Sequence, residues 1–341
     1  MADPASGPPP KVQTFLSSLP MLLVALAAMG LLIALYQRDS FMLNVLATTF
    51  LFAGLSSAWN IIGGFGGQFS LAHSVFFAIG AYVTANLYMK FGVSPWYSLV
   101  PAGMVAAVVA VLISWPVFRL RGPFFAIATL AFAEVALALA NYAESITGGT
   151  RGLSIPFRLG FGNMIFRDRL SYAMIMYGFA VICVIIALAV HRSRLGYYLR
   201  AVRDNEDAAR AAGADVTRTK LAGMAISAAL TGIGGSLFMM SVRVADPAAL
   251  FSVFDFGVKF ALVALIGGIG TVYGPVLGAL LIIPLEGLLR AEFGGIIPGA
   301  HLIVLSVILM LAALFLKHGI VGALGDLYAW VKTWRRNWAA A

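Results

Sequence analysis

Charge is what this chain has least of. Only 11% of its 341 residues are Asp, Glu, Lys or Arg, and 61% are hydrophobic, whereas soluble domains carry about 25% charged residues. A surface so poor in charge cannot face water over most of its area, so a polytopic membrane protein is expected. Cysteine is nearly missing as well. Cys183 stands alone within an apolar stretch, which excludes an intramolecular disulfide and leaves a small packing residue. There is no Gly-Lys-Ser or Gly-Lys-Thr, no G-x-G-x-x-G and no H-E-x-x-H, so the chain carries no nucleotide loop or zinc-protease motif. The four histidines are scattered, and the two carboxylates inside apolar stretches, Glu134 and Glu286, lie far apart. An enzyme is therefore not expected, nor is a metal or cofactor.

What the chain does have is apolar length. A spanning helix needs about 20 apolar residues. Candidates lie near 20–36, 42–62, 70–89, 96–118, 123–143, 171–190, 221–242, 255–269, 274–291 and 298–316. The expected fold is all-α, a membrane bundle of about ten transmembrane helices, some short or broken. Residues 1–19 are Pro-rich and expected to be disordered. The first apolar stretch lacks a small-residue cleavage site and reads as a span, not a removed signal. Residues 317–341 carry Trp330, Trp334 and Trp338 at i,i+4 spacing among Lys and Arg, the pattern of a helix lying on a membrane surface.

One polar block interrupts this pattern, His191 to Lys220. Seven of its thirty residues are Lys or Arg and four are acids. With ten spans and this block inside, both termini are inside too, and fourteen of the 23 Lys and Arg fall on that side. The middle of the block reads as a short helix. Asp204 is expected to cap it, Asp207 to add charge to its first turn, Glu206 and Arg210 to pair at i,i+4, and Gly213 to take the left-handed C′ position. Ala208, Ala209, Ala211 and Ala212 leave it slim enough to enter a groove on another protein.

Glycine is clustered at 63–67, 148–152, 232–235 and 267–274. Each cluster can mean close helix packing or a broken helix lining a cavity, and four together favour a transporter. The runs Ile62-Gly-Gly-Phe-Gly66 and Ile266-Gly-Gly-Ile-Gly270 look alike. Ionisable residues at membrane depth mark candidate pathway groups: Glu134 in mid-span, and His73 beside the first break. Gly66, Gly67, Gly268 and Gly270 join them because helix breaks there would free backbone groups. Lys259 and Glu286 lie nearer span ends, where snorkelling or pairing between helices is expected.

The block Arg192 to Phe238 resembles the cytoplasmic loop and following helix of LivM-type permeases, membrane subunits of branched-chain amino-acid ABC importers. Ser193, Gly196, Ala201, Arg203, Asp204, Asn205, Glu206, Ala208, Ala209 and Gly213, then Lys220, match the family pattern; Tyr197 and Val202 depart from it mildly. GGQFSLAHSVFFAIGAY, RGPFFAIATLAFAEV, TGGTRGL and GGIGTVYGPVLGA also resemble family runs, and together these cover about residues 60 to 280.

The resemblance implies a permease domain over 20–316 that moves branched-chain or other apolar amino acids inward across a bacterial inner membrane. It implies as partners two ATPase subunits, a second homologous permease and a periplasmic substrate-binding protein. The loop 191–220 becomes the ATPase-coupling segment, with Arg203, Asp204, Asn205, Glu206, Ala208, Ala209 and Gly213 as its docking residues. Importers of urea and short amides belong to the same superfamily, and a carrier driven by H⁺ or Na⁺ through Glu134 and His73 is the alternative from another class.

Overall fold

The computed structural model describes residues 19–120, 122–293, 302–307, 310 and 319–322. Helix α1 covers Leu19–Leu35 and α2 Ser40–Asn60, the latter continued by a π-turn over Ile61–Phe65. Then come α3 (His73–Phe91), α4 (Pro95–Val117), α5 (Pro123–Tyr142), the single turn α6 (Glu144–Thr147) and α7 (Arg169–Arg192). The polar block forms α8 (Arg194–Asp204) and α9 (Glu206–Ala211). It leads into α10 (Val216–Val242), a turn α11 (Pro247–Leu250), a π-segment Val253–Val258 running into α12 (Lys259–Gly268), and α13 (Gly274–Phe293). Two short strands, β1 (Leu153–Ser154) and β2 (Val244–Ala245), pair antiparallel in the loops and are the small departure from an all-α chain.

Among the described residues, six helices are long and apolar enough to cross a membrane: Ser40–Phe65, Pro95–Val117, Pro123–Tyr142, Arg169–Arg192, Val216–Val242 and Pro247–Gly268. The expected count of ten is larger for identifiable reasons. Helix α1 has 17 residues, α3 is diluted by His73, Thr84, Asn86 and Lys90, and α13 carries Glu286, Arg290 and Glu292. The tenth stretch, the Pro-rich start and the Trp-bearing tail lie mostly or wholly outside the described residues.

Helix α2 runs through the middle of the bundle, buried from Thr49 to Asn60, and α10 packs beside it. For the glycines at 232–235, where packing and a break were both open, the structure has no break, for α10 is continuous. They serve close approach instead. A Cβ at Gly235 would lie 1.9 Å from the Phe77 carbonyl oxygen, and one at Gly80 would lie 1.9 Å from the Gly232 carbonyl oxygen. Helices α3 and α10 thus meet backbone to backbone, as small residues allow in a bundle without water-driven packing.

The helix ends gather on two faces. On one, Phe65 meets the His191 ring at 5.0 Å and Lys220 lies over Phe118, so the ends of α2, α4 and α7 and the start of α10 share a side with α8 and α9. On the other, Lys90 Nζ donates to the Ser145 carbonyl and Trp96 Nε1 to the Phe161 carbonyl, which ties loop 143–168 to α3 and α4.

Candidate coupling site

Helix α8 begins where Ser193 Oγ accepts the Gly196 amide, and it is amphipathic. Gly196, Leu199 and Val202 point inward at a spacing of three. Gly196 is required by contact, because a Cβ there would lie 2.1 Å from the Val190 carbonyl oxygen. Arg200 Nη1 donates to the His191 carbonyl at 2.9 Å, fixing α8 to the end of α7. Burial, and then the charge of Arg203, pull the Arg200 guanidinium below its ordinary pKa, with Asp204 opposing.

The short helix expected between Asp204 and Gly213 is α9, with its cap one residue later than expected, and a separate helix, α8, precedes it. Asp204 ends α8, and the cap of α9 is Asn205, whose Oδ1 accepts the amides of Asp207 and Ala208 at 3.0 Å each. The extended backbone at Asn205 (φ −160°, ψ 110°) puts its side chain over the first turn, where Asp204 does not reach. Gly213 takes the left-handed conformation as expected, with φ +87°. Arg210 pairs with Asp207 at 3.6 Å.

Glu206 instead forms an ion pair with Lys220, whose side chain is 1% exposed. Lys220 Nζ also stands 5.7 Å from the centre of the Phe118 ring. Ala209 faces the same way, closing a small apolar cluster with Val202 and Val216. Glu206 and Ala209 therefore hold α9 against α10, and the outward face is made by Asp207, Ala208, Ala211 and Ala212.

Arg203 carries the link from this loop into the bundle. Its Nη1 donates to the Gly64 carbonyl at 3.1 Å, inside the π-turn that ends α2, and its Nε donates to Asp204 at 3.1 Å. Gly67 has φ +66°, and a Cβ there would lie 2.6 Å from Arg203 Cγ. Gly270 has φ +78°, and a Cβ there would lie 2.9 Å from Arg203 Nη1. One arginine is thus threaded among glycines of both look-alike runs. Asn60 joins the runs directly: its Oδ1 accepts the Gly270 amide at 2.9 Å and its Nδ2 donates to the Thr271 carbonyl at 2.8 Å. The Gly64 and Thr271 carbonyls and the Gly270 amide thus find partners in protein, the condition for irregular backbone in a membrane protein.

The residues singled out from sequence therefore fall in three places. Gly66, Gly67 and Gly270 come together under α8, beside Leu199 and Arg203, while Gly268, in the same break as Gly270, lies against Val321 and Thr271. His73 is fully buried, with its ring nitrogens 3.1 Å from Ser70 Oγ and 2.8 Å from Ser227 Oγ, while Ser227 donates to the Ala58 carbonyl. Its polar capacity is spent on joining α2, α3 and α10. Glu134 is exposed on the outward side of α5, opposite the Phe125, Thr129, Ala133, Ala136 and Ala140 stripe that packs inward. Asn60 was not singled out, although a polar side chain just before a glycine run was a signal for it. Lys220 was noted only as the end of the polar block and as a family match, without a partner.

The described residues thus form a helical bundle with six helices long and apolar enough to cross a membrane, and a polar loop that contacts two helix breaks. The chain is a member of the family of permease components of branched-chain amino-acid transport systems, whose sequence pattern matches residues 41–314. It is 32% identical over 270 residues to the high-affinity branched-chain amino acid transport system permease protein LivM of Salmonella typhimurium and, likewise, of Escherichia coli, covering 72% of this chain and 63% of those relatives. It is 26% identical over 278 residues to the LivH permease protein of the Escherichia coli system, covering 76% of this chain and 89% of that relative. No solved structure matches.

Proposed function

We propose that this chain is one of two homologous permease subunits of an ABC importer that carries branched-chain or other apolar amino acids inward across a bacterial inner membrane. The face bearing α8 and α9 is cytoplasmic, both termini lie on that side, and about ten helices span the membrane. Partner ATPases receive α9 in a groove through the outward face made by Asp207, Ala208, Ala211 and Ala212. A secreted binding protein delivers solute at the opposite face, and the second permease packs on α5. Similarity to both LivM and LivH, two permease proteins of one named system, supports the pairing. Glu134, exposed in mid-helix and unpaired among the described residues, supports the choice of α5, because a carboxylate at that depth is costly in lipid alone.

The observation that carries the reading is Arg203 on Gly64. A solvated loop has no need to hold the ends of two broken helices; a loop that transmits ATPase closure does. The test is uptake by the complex reconstituted with its ATPases, second permease and binding protein. Leucine uptake that needs ATP is expected. Uptake of urea without leucine, or gradient-driven uptake by this chain alone, would refute it.

A further inference from the structure

Away from the coupling face, α2, the π-segment leading into α12, Phe238 of α10 and α13 line a half-open cavity of about 360 Å³. Two features of its lining do not follow from packing. The first is charge inside two largely apolar helical segments. Glu286 Oε1 accepts from Lys259 Nζ and from Arg290 Nη2, each at 3.0 Å, and Asp255 also borders the cavity. Lys259 is six residues past the start of its helical segment at Val253 and Glu286 seven before the end of α13 at Phe293, so both sit about 10 Å below the helix ends at 1.5 Å per residue. Ionisable groups at that depth generally mark a solute route. The second feature is the wall. Phe52 and Phe256 stack at 6.2 Å between ring centres, and Lys259 Nζ lies 5.5 Å from the centre of the Phe52 ring.

The charges sum to zero but are separated, with two cations and two carboxylates around one space beside an aromatic wall. An anion would call for excess positive charge, and an uncharged amide for no full charges at all. Equal opposite charges next to an apolar surface match a solute with both ends charged and an apolar body. The volume lies in the usual range for small-molecule sites. A lone structural ion pair would need no cavity beside it.

We propose that this cavity is a solute site within the permease for a zwitterionic α-amino acid with an apolar side chain, a claim that rests on the importer reading above. The carboxylate pairs with Lys259 and Arg290, the ammonium with Glu286 and Asp255, and the side chain lies on Phe52 and Phe256. The solute exchanges its two charges for the resident Lys259–Glu286 contact, so the site stays neutral whether filled or empty.

The experiment uses the complete transporter in proteoliposomes, reading leucine uptake together with the ATPase activity stimulated by leucine-loaded binding protein. Two variants avoid dependence on one substitution: the neutral pair Lys259→Met with Glu286→Gln, and Ala291→Trp, which fills the cavity from its exposed rim. Both are expected to raise the KM for uptake or cut uptake by about tenfold, the loss of roughly 1.4 kcal/mol, while stimulated ATPase persists and reports an assembled complex. Lys259→Arg is expected to keep uptake. Wild-type uptake of leucine with both variants within about twofold of it would overturn the site and leave the importer reading standing. A wild-type complex that moves urea and not leucine would overturn both. If the neutral pair abolishes assembly, Ala291→Trp decides.

Discussion

Lys220 is the residue whose position is least expected from composition. A lysine that is 1% exposed persists because Glu206 meets it, and Glu206 is placed by the first turn of α9. Removing one partner of a buried pair leaves an uncompensated charge, at a cost of about 3–5 kcal/mol. Glu206→Ala is therefore expected to lower the thermal stability of the purified chain markedly, and Glu206→Ala with Lys220→Met to recover most of it. Equal destabilisation by the single and double variants in a thermal melt would show that the pair does not hold the loop. The residue scale also shows where pattern reading stops. Asp204 and Asn205 are both good capping residues, and only the chain's sharp turn after Asp204 decides that Asn205 caps.

At the scale of elements, α9 has two sides with different tasks. Ala208→Trp changes its exposed side, Ala209→Trp its packed side. Ala208→Trp is expected to leave the melting temperature unchanged and to weaken co-purification with the ATPases. Ala209→Trp is expected to lower the melting temperature, since overpacking a filled site costs about 1–3 kcal/mol. The reverse pattern would mean that the docking face is misassigned. Helices α3 and α10 offer a second test. Gly235→Leu forces a side chain into the Phe77 backbone and is expected to reduce the yield of folded chain in membranes; normal yield would mean that the close approach is dispensable.

Much of this level was legible beforehand. The boundaries of the longer apolar helices followed from hydrophobic length, because lipid demands continuous apolar runs. The role of each glycine cluster did not, because a glycine that breaks a helix and one that admits a neighbour's backbone look the same in sequence. The cluster in α10 packs, and those at 63–67 and 267–274 mark breaks. Pairing between Lys259 and Glu286 was among the expectations, but the cavity beside them needs three helices in place before it exists.

At the scale of the whole molecule, the two helix breaks at 63–67 and 267–274 do not stand apart. The repeat Ile-Gly-Gly-x-Gly, at 62–66 and 266–270, meets itself in space through Asn60, and Arg203 from the polar loop enters the junction. Any displacement of α8 and α9 by a partner therefore acts on α2 and on the α12–α13 connection together. These same three helices line the charged cavity near the opposite face. In the importer proposed above, a push at one end and a solute at the other act on the same helices, which is what coupling requires.

The most direct measurement of that link is the amount of leucine taken up per ATP hydrolysed by the reconstituted complex carrying Arg203→Met. The side chain keeps its apolar stem and loses its contact with Gly64, a hydrogen bond from a charged group worth about 1.5–3 kcal/mol. ATP hydrolysis that continues while leucine uptake per ATP falls about tenfold or more is the expected result. An unchanged ratio of uptake to hydrolysis would contradict the claim that the loop drives the helix breaks through Arg203.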